Sequence, residues 1–194
     1  MLIVISAPSA AGKTTLCDRL LAEHVGMVYS VSCTTRPPRG REVGGVDYVF
    51  LDADEFEQKL ERAEFLEHAE VFGHMYGTLR GAVEEALRKG KDLLMDIDVQ
   101  GADQVRSFVA GLPDGSALRK AYIDVFIEPP SLAVLETRLR LRNEDSQESI
   151  CERMKNAEHE MNRAGSYMYR IVNDDLETAY AELKSIVQKE HARI

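Results

Sequence analysis

Residues 34–50, T-T-R-P-P-R-G-R-E-V-G-G-V-D-Y-V-F, gather Arg36, Arg39 and Arg41 on a stretch stiffened by Pro37 and Pro38, loosened by glycines and closed by Tyr48. A planar guanidinium can hold two oxygens at once, so such a stretch suits a dianionic phosphate monoester. Shortly upstream, Ala7-Pro8-Ser9-Ala10-Ala11-Gly12-Lys13-Thr14-Thr15 follows an apolar run and opens a helical pattern. That is the setting of a phosphate loop: backbone N–H groups and a helix N-terminus cradle phosphates, Lys13 reaches the β and γ phosphates, and the Thr14 hydroxyl ligates Mg²⁺. Ala7 stands where the usual pattern has its first glycine, and Ala10 where the loop often has another, so a left-handed backbone at either position carries strain. One phosphate grip is common; two on a small chain imply a phosphate passed from donor to acceptor. A third signal is Leu93-Leu94-Met95-Asp96-Ile97-Asp98. An apolar strand ending in aspartate puts a carboxylate beside the metal of phosphate-loop enzymes, and the two-residue strand period points Asp96 and Asp98 the same way.

The elements that must hold these groups alternate. Apolar runs at 2–6, 28–32, 48–51, 65–72, 93–97, 122–127 and 170–172 read as strands. Helical patterns cover about 12–24, 52–60, 78–89, 99–109, 131–140 and 146–164, with a last helix capped by Asp174 or Asp175. Asp52 with Glu55 forms a capping box, Thr78 is an N-cap candidate, and Gly90 stops the helix that follows it. The alternation predicts an α/β fold, a parallel sheet flanked by helices. Residues 33–81 break it and read as an inserted lobe. The Arg-rich helix pair over 129–157 reads as a lid, which leaves a core of about 1–32, 82–128 and 158–194. Residues 110–121 read as a surface elaboration without a catalytic role.

Composition narrows the class. The chain has 194 residues, 44% hydrophobic and 29% charged, with a net charge of −9: an ordinary soluble domain with one core. The acidic balance argues against non-specific nucleic-acid binding, which needs a basic face. No apolar run approaches the ~20 residues of a membrane span, and the apolar start at 2–5 lacks the basic leader of a signal peptide. Cys17, Cys33 and Cys151 are odd in number and widely spaced, as expected of free thiols in a reducing, cytoplasmic compartment.

Thr34-Thr35-Arg36, then Arg39, Glu42, Gly45 and Tyr48-x-Phe50, resembles the guanylate kinase signature in full. Similarity continues through Phe65-Leu66-Glu67, Tyr76-Gly77-Thr78, Asp96-Ile97-Asp98-x-Gln100-Gly101, Pro129-Pro130-Ser131 and Val172-Asn173-Asp174-Asp175, nearly the whole chain. The resemblance implies a nucleoside monophosphate kinase fold with a GMP-binding lobe and a lid. It implies Mg²⁺-dependent transfer of the γ-phosphate of ATP to GMP, with dGMP as an expected second acceptor, within purine metabolism and GMP recycling. Carried over by position, Ser32, Arg36, Arg39, Tyr48 and Tyr76 hold the GMP phosphate. Glu67, Thr78 and Asp98 read the guanine, Arg138, Arg142 and Arg153 close on the transferring phosphate, and Asn173 lies on the ATP side. Thr14 and, through water, Asp96 serve the metal. Arg41 has no place in the signature. Where the family has glycine after the second lid arginine, this chain has Asn143, which tolerates left-handed backbone. The chemistry agrees: a carboxylate pairs with the N1 and N2 donors of guanine, and a site built to make such bonds rejects bases lacking them by ~10⁴ or more.

Two other readings stay open at this level. An inactive module of the same fold, used for protein contacts, is opposed by Lys13-Thr14 and Asp96. A kinase for another phosphorylated acceptor, such as a ribose bisphosphate, is opposed by Glu67, Tyr76, Thr78 and Asp98 together. Monomer and homo-oligomer are both compatible with the sequence; no nucleic-acid or membrane partner is expected.

Overall fold

The chain is built around its first strand. The computed structural model describes residues 1–71, 73–142 (Arg142 by its backbone alone) and 146–194; the turn expected at Asn143 lies outside the described residues. In chain order the strands are β1 (Leu2–Ser6), β2 (Met27–Tyr29), β3 (Cys33–Thr34), β4 (Val49–Phe50), β5 (Phe65–Val71), β6 (His74–Leu79), β7 (Asp92–Asp96), β8 (Tyr122–Glu128) and β9 (Tyr169–Val172). The α-helices are α1 (Lys13–Glu23), α2 (Ala53–Glu61), α3 (Arg80–Arg88), α4 (Val99–Ala110), α5 (Ala117–Lys120), α6 (Leu132–Arg142), α7 (Gln147–Met161) and α8 (Leu176–His191).

β1 is wholly buried and is the middle strand of a five-stranded sheet, order β2-β7-β1-β8-β9, parallel throughout. Its side chains alternate between two cores. Ile3 and Ile5 pack with Leu16, Leu20, Leu183 and Val187 of α1 and α8; Leu2 and Val4 pack with Val83 of α3 and Val99, Ala102, Val105 and Val109 of α4. Covering on both faces is why the strand reads as an unbroken apolar run. The register pairs Ile5 with Asp96. It therefore sets the end of β7 beside the loop that leaves β1, at the carboxyl edge of the sheet where open α/β folds bind ligands.

The inserted lobe is a second sheet, order β4-β3-β6-β5, in which β3 and β4 run parallel and the other pairs antiparallel. The expected capping box opens α2: Glu55 N–H donates to Asp52 Oδ1 at 2.7 Å, and Asp52 N–H to Glu55 Oε2 at 3.0 Å. Phe56 of α2 stacks on Phe65 with ring centroids 4.4 Å apart. Thr78 does not cap α3. It lies inside β6, and α3 starts two residues later behind Leu79 with no side-chain cap. Pairing with β5, which sets Glu67 opposite Thr78 and Ala69 opposite Tyr76, outweighs the capping tendency. Gly77 is needed within this pairing: a Cβ there would meet the Phe65 ring at 2.8 Å and the Glu67 carbonyl at 3.0 Å. Gly90, at φ 70, ends α3 as expected, with Lys91 N–H bonded to Ala86 O, a Schellman-type stop.

The helix pair α6 and α7 is rooted in the main core through Leu135 and Ala157. Ser131 and Ser146 take the expected capping roles, each accepting an N–H at 3.2 Å. Residues 111–121 include α5 and lead into β8, and the Ala121 carbonyl accepts Leu2 N–H at 2.8 Å. That is the amino edge of the sheet, remote from the loop after β1. All three cysteines are free; Cys17 and Cys33 are buried and Cys151 is exposed. Among the described residues no helix is long and apolar enough to cross a membrane.

Candidate functional site

The loop between β1 and α1 ends on Gly12, at φ 94, directly before the first residue of α1. No side chain caps this helix, so its first N–H groups and positive dipole end are free for an anion. Residues 7–10 and 12–15 line a cavity of about 320 Å³ together with Asp96 and Glu160. Ala11 instead turns into the core at 0% exposure. Of the two alanines at expected glycine positions, Ala10 adopts φ 68 and Ala7 does not take a positive φ. Lys13 forms an ion pair with Asp96 and donates to the Ile97 carbonyl at 3.5 Å. Burial works to lower the Lys13 pKa, but the charge and hydrogen bond of Asp96 prevail and raise it, so Lys13 is firmly cationic.

Asn173 and Arg138 brace this loop from behind. The Asn173 amide donates to the Ala11 carbonyl at 2.7 Å, and the Asn173 carbonyl accepts from Arg138 at 2.9 Å. The brace is close-packed: a Cβ at Gly12 would fall 2.2 Å from Asn173 Nδ2. The Asn173 side chain is thus spent on the loop backbone, and its bearing on a nucleotide is through the loop's shape. Arg153, on α7, donates to Ser9 Oγ at 2.8 Å and so reaches the rim of the loop. The Arg142 side chain lies outside the described residues.

Across the cleft, a cavity of about 330 Å³ is lined by Ser32, Arg39, Tyr48, Glu67, Tyr76, Asp96 and Asp98, together with Tyr29, Ser30, Asp47, Val71 and Ile97. Tyr48 meets Tyr76 edge-on at 6.0 Å, and Arg36 Cζ lies 5.2 Å over the Tyr48 ring. Arg36 is only 5% exposed. Its Nε donates to Tyr76 Oη at 3.2 Å, its Nη1 to the Pro37 carbonyl at 2.8 Å, and its two terminal nitrogens hold Glu42 at 2.9 and 2.8 Å. Arg39 is exposed, and Arg41 is exposed outside the cavity lining.

The other end of this cavity is polar and buried. Glu67 is 4% exposed; Thr78, 1% exposed, is outside the cavity lining, with its Oγ1 3.4 Å from Ser32 Oγ. Burial pushes the Glu67 carboxyl up, the Thr78 hydrogen bonds pull it back, and the Asp98 charge adds to the rise. Asp98 is the N-cap of α4, accepting Gly101 N–H at 2.8 Å and Gln100 Nε2 at 3.1 Å. It sits past the end of β7 as a cap, yet lines the same cavity as Asp96. Between the two cavities, a space of about 580 Å³ runs under α7 from Ser9 and Arg153 to Asp98.

Two groups here escaped the sequence reading. Glu42 was visible only as an acid in the signature, and its pairing with Arg36 is a loop contact that spacing does not announce. Glu160 lies seven residues after Arg153 on α7, two helical turns along one face, and that spacing was the available signal. Burial pushes its carboxyl up to about 7, with Lys13 pulling it down and Asp98 raising it.

Comparison with known proteins agrees with this geometry. The family model described as guanylate kinase matches residues 1–190. The guanylate kinase of Symbiobacterium thermophilum is 46% identical over 193 residues, covering 100% of this chain and 87% of that protein. The guanylate kinase of Myxococcus xanthus is 46% identical over 197 residues, covering 100% of this chain and 88% of that one. Among solved structures, guanylate kinase from Anaplasma phagocytophilum superposes with a TM-score of 0.74 at 34% identity, covering 98% of this chain and 85% of that chain. The chain belongs to the guanylate kinase family, the ATP:GMP phosphotransferases.

Proposed function

We propose that this chain transfers the γ-phosphate of Mg²⁺-bound ATP to GMP, and to dGMP, giving ADP and the guanosine diphosphate. The observation that carries the reading is the acceptor cavity. It combines cationic and phenolic groups (Arg39, Tyr48, Tyr76) with two carboxylates, buried Glu67 and half-buried Asp98, and it shares Asp96 with the loop cavity that holds Lys13. A nucleoside monophosphate has that polarity: a dianion at one end and a base with N–H donors at the other.

In this reading Arg39, the remaining donor of Arg36, Ser32 and the two tyrosines take the acceptor phosphate, while Glu67 accepts from guanine N1 and N2. Thr78, paired with Glu67 across β5 and β6, supports the same end of the site. An acceptor phosphate oxygen attacks the γ-phosphorus in line; that P–O bond forms as the bond from γ-phosphorus to the β–γ bridging oxygen breaks, and ADP leaves with the electron pair. Lys13, Arg153 and the lid residues Arg138 and Arg142 spread or anchor the charge of the transferring group, and no protein nucleophile is required. The Thr14 hydroxyl and the Asp96 carboxylate are hard oxygen donors that both line the loop cavity; Thr14 would hold Mg²⁺ directly and Asp96 through water, with nucleotide phosphates and water as the other ligands. When bound, the ion would neutralise β- and γ-oxygens. Purine nucleotide metabolism and GMP recycling in the cytoplasm follow as its setting.

The test is ADP release with Mg²⁺-ATP and, in turn, GMP, dGMP, AMP, CMP and UMP. GMP and dGMP are expected to support turnover and the others to fail; turnover indifferent to the base, or none with GMP, would sink the reading. Lys13→Ala is expected to abolish transfer while GMP still binds.

A further inference from the structure

Gly101 is the third residue of α4, where an alanine would favour the helix more. The position is buried and its backbone is ordinary helix, so neither turn geometry nor a positive φ calls for glycine. What calls for it is the neighbour across the lobe junction. A Cβ at position 101 would stand 2.5 Å from Glu67 Oε2, 3.2 Å from Glu67 Cδ and 3.3 Å from Asp98 Oδ1. The first of these is roughly 1 Å inside a normal van der Waals contact. The backbone beside Glu67 cannot retreat to make room, because Gln104, one turn along α4, clamps the next residue on both sides: His68 N–H donates to Gln104 Oε1 at 3.0 Å, and Gln104 Nε2 donates to the His68 carbonyl at 2.6 Å.

We propose that Gly101 is a positioning residue for base specificity: its missing side chain is the slot that lets the Glu67 carboxylate lie against α4 and face the acceptor base. The inference rests on Glu67 being the guanine-reading carboxylate. A methyl group in the slot moves the end of a flexible side chain and spares the backbone, so the loss falls on acceptor recognition and leaves the fold intact. This separates Gly101 from Gly12 and Gly77, where an added Cβ meets a loop brace or strand backbone.

The test is Gly101→Ala, assayed for GMP and ATP KM and for Tm. The expected result is a GMP KM raised about ten-fold or more, an ATP KM within about two-fold of the parent, and a Tm no lower. An unchanged GMP KM overturns the inference; so does a fall in Tm with both KM values rising together, which would mark a folding defect. Glu67→Asp, shorter by one methylene, is combined with Gly101→Ala to probe the contact. A double variant whose GMP KM rises less than the product of the single effects supports it, and simple multiplication of the two overturns it. Glu67→Gln separates the levels. If it leaves GMP KM unchanged, the guanine-reading role fails and this inference with it; if it raises GMP KM while Gly101→Ala does not, the Gly101 inference alone fails.

Discussion

The Glu42 carboxylate holds the terminal nitrogens of Arg36 at 2.9 and 2.8 Å and also accepts the Arg39 backbone N–H at 2.6 Å. The hydrogen bonds from Arg36, then that from the Arg39 backbone, bring its carboxyl down to about 2. A guanidinium has five N–H groups. With Tyr76 and the Pro37 carbonyl also served, Arg36 keeps one for a ligand. The two-oxygen fork expected of this arginine is therefore spent on Glu42, and Arg36 enters the site as an oriented charge with a single free donor.

The arginines should separate in mutants. Arg39→Ala is expected to raise GMP KM ten-fold or more with Tm unchanged, since Arg39 is exposed. Arg36→Ala should raise GMP KM and also cost about 1–3 kcal/mol of stability, because it leaves Glu42 and Tyr76 without their partner. Glu42→Gln should weaken GMP binding by loosening Arg36. Calorimetry showing tighter GMP binding in that variant would mean that Glu42 competes with the phosphate instead of presenting the arginine.

Ala10 holds φ 68 in the phosphate loop. The left-handed region costs an L-residue about 1–2 kcal/mol, and the extra unfolded-state freedom of glycine returns about 0.4–1 kcal/mol of that. Ala10→Gly should therefore stabilise the protein by up to about 1.5 kcal/mol in urea denaturation. Destabilisation would show that the methyl group packs usefully.

Asn173→Ala removes the bond to the Ala11 carbonyl and leaves that buried acceptor unpaired, at a cost of about 1–3 kcal/mol. Because the contact shapes the phosphate loop, ATP KM should rise while GMP KM stays near the parent value. Equal effects on both substrates in steady-state kinetics would place Asn173 outside the donor site.

Glu160 carries a pH signature. Its carboxyl is raised from 4.5 to about 7, so between those values the folded state keeps a proton that the unfolded state releases, and stability falls as pH rises through the window. A full shift of that size would be worth about 3 kcal/mol; partial exposure reduces it to about 1–2 kcal/mol. Glu160→Gln should flatten this part of the pH–stability curve in the nucleotide-free protein, and identical slopes for parent and variant between pH 5 and 8 would contradict it.

The local signals were legible where one element supplied all the parts. The Asp52–Glu55 box, the Gly90 stop and the strand–loop–helix around Lys13 each depend on neighbours within a few residues, and all took the expected form. Thr78 failed as a cap because its fate depended on a partner eleven residues away: pairing with Glu67 across β5 and β6 drew it into a strand. Local preference for a cap could not register that competition.

The sequence alone carried residue types and spacings: a strand–loop–helix bearing Lys13, a stretch of arginines closed by a tyrosine, and a resemblance to one family over nearly the whole chain. These survive as types and spacings, whatever the fold does around them. Tertiary structure decided how the groups are spent. It bound the Arg36 fork to Glu42, turned Asn173 onto the loop backbone, brought Glu160 to Lys13, and laid the Glu67 carboxylate in the space left by Gly101. Each of these contacts except Arg36–Glu42 joins residues far apart in the chain, and that one depends on the path of the intervening turn. Hydrogen-bond and steric geometry act at distances of a few ångströms, which only the folded arrangement of β1, α4, α7 and the inserted lobe brings about.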